Sequence, residues 1–180
     1  MALPGFPDDD EIEQLWRIGL FSPDDARALR KLWRILRGQT DDYLDIVLGM
    51  VAAHPVLDEV LSVLGGESPE EIFNNSTNLR RQFRQWLFET CQFPHDPPWI
   101  KQFYSKRRQD FPEQPSVSGR LPRFRYVLAL AFPLAATAHS FLAATGGNQQ
   151  DSERIQHALL KAILLQIDLL SMLYVKEGFW

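Results

Sequence analysis

One cysteine, Cys91, occurs in 180 residues. That excludes a disulfide framework and a thiolate metal cluster, and a reducing, cytoplasmic setting is the economical expectation. Histidine is nearly as scarce. The chain has four, none between His95 and His139 and no two at the four-residue spacing of a helical metal pair. Basic residues are not in excess: 19 Lys and Arg stand against 23 Asp and Glu, and the isoelectric point near 5.6 argues against nucleic-acid binding through bulk charge. There is no phosphate-binding glycine loop and no nucleophile elbow, so the chain is not expected to be an enzyme. Asp8-Asp9-Asp10 lacks the rest of a calcium-loop pattern. The acidic start, MALPGFPDDDEIEQ, is not a targeting sequence. The apolar run Val127–Ala138 is broken by Pro133 and is too short to cross a bilayer, so no membrane contact is expected. The alternation and β-branched enrichment of strands are missing, as are internal repeats.

What is present is helical periodicity. With 45% hydrophobic and 12% aromatic residues, a chain of this length can close one core, and the expectation is a single all-α domain over residues 1–180. Residues 1–21 read as a docking arm carrying Ile12, Leu15, Trp16 and Ile18. Ser22 caps the next helix, with Pro23 at its first position, Asp24 and Asp25 at the positive end of its dipole, and Leu29, Leu32, Trp33 and Leu36 as its buried stripe. Gly38 ends it. Thr40 or Asp41 opens a helix with Tyr43, Leu44, Val47, Leu48 and Val51 at three- and four-residue spacing. His54-Pro55 marks a bend, Leu57–Leu64 a short helix, and Ser68-Pro69-Glu70-Glu71 a capping box. Ser76–Cys91 is amphipathic, with Leu79, Phe83, Trp86 and Leu87 on one side.

A proline-rich corner then leads into the central stretch Pro97–Phe111, where Ile100, Phe103, Tyr104, Arg107 and Phe111 share one helical stripe. A loop from Pro112 to Pro122 separates it from the two longest patterns, 123–143 and 152–176, joined by Gly146-Gly147-Asn148. Pro133 is expected to kink the first of these. Both are apolar over most of their circumference, which points to a homodimer formed through them.

The order of these elements, and several local strings, resemble the protoglobin and globin-coupled-sensor branch of the globins over nearly the whole chain. The strings are Tyr43-Leu44-Asp45-Ile46 with Gly49 and Val51-Ala52; Phe83 with Trp86-Leu87; Trp99; Arg125-Tyr126 through Phe132-Pro133 with Ala136-Thr137; the Gly146-Gly147 turn; and Tyr174-Val175-Lys176-Glu177. The resemblance implies a globin-like fold with an extra N-terminal helix and arm, a haem pocket shielded by loops, and dimerisation through the last two long helices.

This chain departs from that family in the pocket. The family's proximal histidine aligns with Asp110 or Phe111, and helical facing favours Phe111, which has no lone pair for iron. Where the family presents distal aromatics, the chain has Val47, Leu48 and Met50, with Phe83 opposite. Tyr104, about two turns before the aligned position, is either a core or pocket-lining tyrosine or, if the porphyrin shifts, an iron ligand on the central helix. Arg107 lies on the apolar stripe, so it must either reach solvent or meet an anion such as a ligand carboxylate. Lys106, Arg107 and Arg108, with Arg80, Arg81 and Arg84, form a basic group that is either a solvated face or an anion-facing patch.

The leading expectation is therefore a protoglobin-like sensor or ligand-binding module without histidine-ligated haem, with no cofactor and an apolar or carboxylate-bearing small ligand. Two alternatives remain: haem and diatomic-gas binding through an unusual axial ligand, and an interaction module whose pocket is filled by Phe103 and Phe111. The chain stops at Trp180, soon after the last helix, so any signal is expected to pass to a separate partner.

Overall fold

The structure is a computed structural model that describes residues 7–54, 76–96, 98–102, 105 and 124–171. All regular structure among them is α-helical. The expected short helices at Leu57–Leu64 and after Ser68, the loop 112–122 and the closing residues 172–176 lie outside the described residues.

Helix α1 (Asp9–Ile18) begins where the Asp8 carboxylate accepts the Glu11 amide at 2.9 Å. Asp9, Asp10 and Glu11 in its first turn complement the dipole, and Arg17 does so in its last. The Phe21 amide then reaches back to the Trp16 carbonyl, and Leu20 takes the left-handed conformation, φ 52°, that glycine fills more readily at helix ends. Ile12 and Trp16 are buried as expected. Ile18 is not, at 77% exposed.

Helix α2 (Pro23–Leu36) starts with a complete capping box: Ser22 Oγ accepts the Asp25 amide, and the Asp25 carboxylate accepts the Ser22 amide at 2.8 Å. Leu29, Leu32 and Leu36 are fully buried, whereas Trp33 stays at the edge of the core. Helix α3 (Thr40–Ala52) follows after a tight turn and buries Tyr43, Leu44 and Val47. Helix α4 (Ser76–Gln92) buries Leu87, Thr90 and Cys91.

The first long pattern is two helices, α5 (Phe124–Ala129) and α6 (Ala131–Ala144), interrupted at Leu130. Pro133 is the physical cause. It cannot donate to the Ala129 carbonyl four residues back, and its ring crowds that turn. Together they form the stretch Phe124–Ala144, long and apolar enough by length and composition to cross a bilayer. The run is thus longer than its central segment Val127–Ala138 suggests. Ala131, Ala135, Ala138 and Phe141 nevertheless turn into the protein core.

After the turn at Gly146, φ 66°, helix α7 (Gln149–Ser171) begins three residues earlier than periodicity indicated. Asn148 is the reason: its side chain accepts the Gln150 amide at 3.0 Å and its carbonyl accepts the Ser152 amide at 3.1 Å.

Helix α7 packs on α6 and α2, α2 on α4, and α3 on both α4 and α6. Small side chains at Ala135 and Ala138 of α6 and at Ala158 and Ala162 of α7 are all buried, which lets the two backbones approach closely. A second cluster, separate from this core, joins Ile12 and Trp16 of α1 to Trp99, Ile100 and Leu169. The docking-arm expectation for the N-terminus is met through this cluster.

One tie crosses the sequence from end to end. Lys161 Nζ donates to the Asp25 carboxylate at 3.0 and 3.2 Å and to the Leu20 carbonyl at 2.8 Å, fixing the α1–α2 corner to α7. Burial pushes the Asp25 carboxyl upward, but the hydrogen bonds from Lys161 and Ser22 and the Lys161 charge outweigh it and hold the group below its usual range. A depressed carboxyl adds stability that is present above its unfolded value and lost as pH falls through the folded one. Asp25→Asn is therefore expected to cost about 2 kcal/mol at neutral pH. The gap between variant and parent should narrow below about pH 4, as measured by urea unfolding across pH. A gap independent of pH would assign the loss to packing.

Candidate functional site

Of the expected distal residues, Leu48 and Phe83 share one small cluster, and Val47 and Met50 belong with Phe83 to the main core. Leu44 of α3 and Leu130, between α5 and α6, form a small buried pair, and Leu48, Phe83, Tyr126 and Leu134 pack around it half-buried. Val47 and Met50 continue this surface into the main core, Val47 buried and Met50 partly so. The result is an apolar wall shared by α3, α4, α5 and α6. Arg125 stands at its edge, its guanidinium carbon 5.2 Å from the centre of the Tyr126 ring.

Tyr43 anchors the wall from behind. Its ring lies 5.5 Å from Phe83 and 5.6 Å from Phe141, and its hydroxyl donates to the Leu134 carbonyl. Burial, with Cys91 beside it, pushes the phenol well above its ordinary range, so it stays protonated and keeps donating. Burial likewise pushes the Cys91 thiol up to about 12, only partly opposed by its backbone contact with Trp33. Cys91 is a small core hydrophobe and not a thiolate.

A buried polar chain stiffens the neighbouring seam. Trp86 Nε1 donates to Gln166 Oε1 at 2.8 Å, and Gln166 Nε2 donates to Thr90 Oγ1 at 3.0 Å. These contacts staple α4 to α7. Periodicity did not single out Gln166, although a glutamine within the buried Ile163–Ile167 stripe is the available signal.

The basic group on α4 does not face an open site. Arg80 pairs with Asp45 at 2.6 Å, and Arg84 pairs with Asp41 at 3.1 Å and donates to Thr40 Oγ1 at 3.0 Å. The acidic first turns of α3 take up both charges. Of the two choices offered by the sequence, the solvated face describes Arg84, whose ion pair with Asp41 lies at the surface, while Arg80 is half-buried against an exposed Asp45.

Of the expected proximal stripe, Phe103, Tyr104, Arg107 and Phe111 lie outside the described residues, as do Lys106, Arg108 and Asp110. Ile100 is described. It packs with Ile12, Trp16 and Leu169 in the N-terminal cluster, apart from the wall that holds Leu48 and Phe83. Its segment, residues 98–102, is held by Trp99 Nε1 donating to Glu89 at 3.1 Å and by Lys101 meeting Asp9 at 2.6 Å.

The resemblance implies haem, which the family holds through a histidine. All four histidines, His54, His95, His139 and His157, are exposed. His95 is placed by aromatic contact instead, 5.6 Å from both Trp16 and Phe21. No group of three His, Cys, Asp or Glu among the described residues is arranged to hold a metal ion. Comparison with protein families and with curated proteins finds no match for this chain.

Proposed function

We propose that this protein is a protoglobin-like, non-enzymatic cytoplasmic sensor that binds an apolar, carboxylate-bearing small molecule in place of histidine-ligated haem. The observation behind this reading is the wall of Leu48, Phe83, Tyr126 and Leu134, half-buried apolar side chains bordered by the Arg125 cation. Such a surface favours an acyl or polycyclic body, and a guanidinium at its rim suits a carboxylate. The proposed state is a homodimer through helices 123–143 and 152–176. Leu128 and Phe132, one turn apart, and Leu164 are large apolar side chains left exposed on those helices.

Titration with cis-parinaric acid, a fluorescent fatty acid, tests the ligand. Saturable uptake near one equivalent is expected, with loss of binding in Leu48→Glu, where a charge enters the wall. Unchanged uptake in that variant, or no uptake by the parent, would sink the reading. So would a sharp Soret band on adding one equivalent of hemin that disappears in Tyr104→Phe. Sedimentation of the same samples reads the assembly: a dimer for the parent and a monomer for Phe132→Glu.

A further inference from the structure

The solvent face of α2 carries a charge pattern that the fold uses only in part. Between Asp25 and Asp41 there is no acidic residue, while Arg27, Arg30, Lys31, Arg34 and Arg37 recur at one-turn spacing and are all exposed. Arg27 pairs with Asp24 and Lys31 with Asp151. Arg30, Arg34 and Arg37 have no ion pair among the described residues. Like charges at this spacing repel one another. The stripe therefore weakens a helix that its capping box and buried leucines hold in place, in a chain whose net charge is −4.

An aromatic ridge borders the stripe. Trp33 sits three residues after Arg30 and four before Arg37, so it is flanked by both on the helix surface. Its half-buried ring lies 5.2 Å from Phe88 of α4 at an interplanar angle of 65°, and Phe93, which is 43% exposed, lies 6.2 Å from Phe88 and nearly perpendicular to it. Cations and an apolar edge thus run side by side.

We propose that this face docks an acidic amphipathic helix of a partner protein. Carboxylates spaced three and four residues apart on that helix meet Arg30, Arg34 and Arg37, and an adjoining apolar residue rests on the Trp33–Phe88–Phe93 ridge. From Arg27 to Arg37 the stripe is about 15 Å long, which matches nearly three turns of a helix laid along it. Arginine forks suit carboxylates, and arginine and tryptophan are the usual anchors of protein interfaces. Two other polyanions fit less well. The rings pack edge to face and leave no run of parallel faces for stacked bases. The apolar stripe of α2 is buried in the core, so the helix has no face to lay into a bilayer. The proposal is independent of what the apolar wall binds.

The test is fluorescence polarisation with a labelled helical peptide about 15 residues long, carrying glutamates at three- and four-residue spacing and leucines on the adjoining stripe. Saturable binding is expected at low salt. It should weaken by about tenfold or more for a scrambled peptide and for Arg30→Glu with Arg34→Glu. Arg30→Gln with Arg34→Gln gives the smaller, charge-neutral loss, and Arg154→Glu on α7 leaves binding unchanged. Circular dichroism checks that the variants keep their helix content. Equal binding of the scrambled peptide, or equal binding by the double variant, would overturn the proposal. So would heparin or phosphatidylserine vesicles binding more tightly than the peptide through the same arginines, or self-association of the chain lost in the double variant, which would make the occupant a second copy.

Discussion

Tyr43→Ala is expected to lower folding stability by about 3–5 kcal/mol, the range for removing a large buried aromatic side chain. Tyr43 is 0% exposed, its ring lies against Phe83 and Phe141, and it belongs to the core cluster that joins α2, α3, α4, α6 and α7. Tyr43→Phe keeps that packing and loses one hydrogen bond, so its cost should be about 1 kcal/mol. The Leu134 carbonyl that accepts this bond lies one residue beyond Pro133, in the first turns of α6. Urea unfolding followed by far-ultraviolet circular dichroism measures both variants. Equal losses would shift the weight from ring packing to the hydroxyl and would make Tyr43 a clamp on α6.

Trp16→Ala is the second large effect, about 3–5 kcal/mol against the docked state of α1. Here the loss should be local. Trp16 belongs to the cluster of Ile12, Trp99, Ile100 and Leu169, which shares no buried residue with the main core. Hydrogen exchange should therefore speed up in residues 9–18 and in 98–102, while the amides of α2 and α7 remain protected. Trp16→Phe should be much milder than its loss of area suggests. The indole N–H is buried with no hydrogen-bond partner among the described residues, and an unsatisfied donor costs about 1–3 kcal/mol that phenylalanine does not incur. If Trp16→Ala instead unfolded α1 and the core together, α1 would be an integral part of the core rather than a docked arm.

Several features of the fold were legible in single residues. Ser22 followed by Pro23 marked the start of α2 because a side-chain acceptor and a missing amide each suit a particular position at a helix start. Pro133 marked a distortion of the first long helical pattern because a proline withholds one definite hydrogen bond, and the structure turns that kink into a break at Leu130. Trp33 was read as part of a buried stripe but sits at the edge of the core, and Ile18 was read as part of the arm's apolar side but faces solvent. Periodicity assigns an angle around a helix, and the width of the neighbouring helix decides how much of that angle is covered.

The candidate site was legible in part. Leu48 and Phe83 belong to one apolar surface, as their helical positions suggested, while Ile100 packs with the N-terminal helix. For Arg80 and Arg84 the sequence left a solvated face and an anion-facing patch both open, because the acids that pair with them, Asp41 and Asp45, lie on a different helix.

The sequence by itself determined that the described chain is helical, where α2 begins, and that Pro133 distorts the stretch that forms α5 and α6, since each depends on hydrogen bonds within about four residues. Only the tertiary structure decided that Asp25 closes a cap and also holds Lys161, that Gln166 bridges Trp86 and Thr90, and that Tyr43 reaches Leu134. Those contacts join residues far apart in the chain, and the same short-range pattern is compatible with many partners. Which partner is met depends on how whole helices pack against one another, a property that no local spacing encodes.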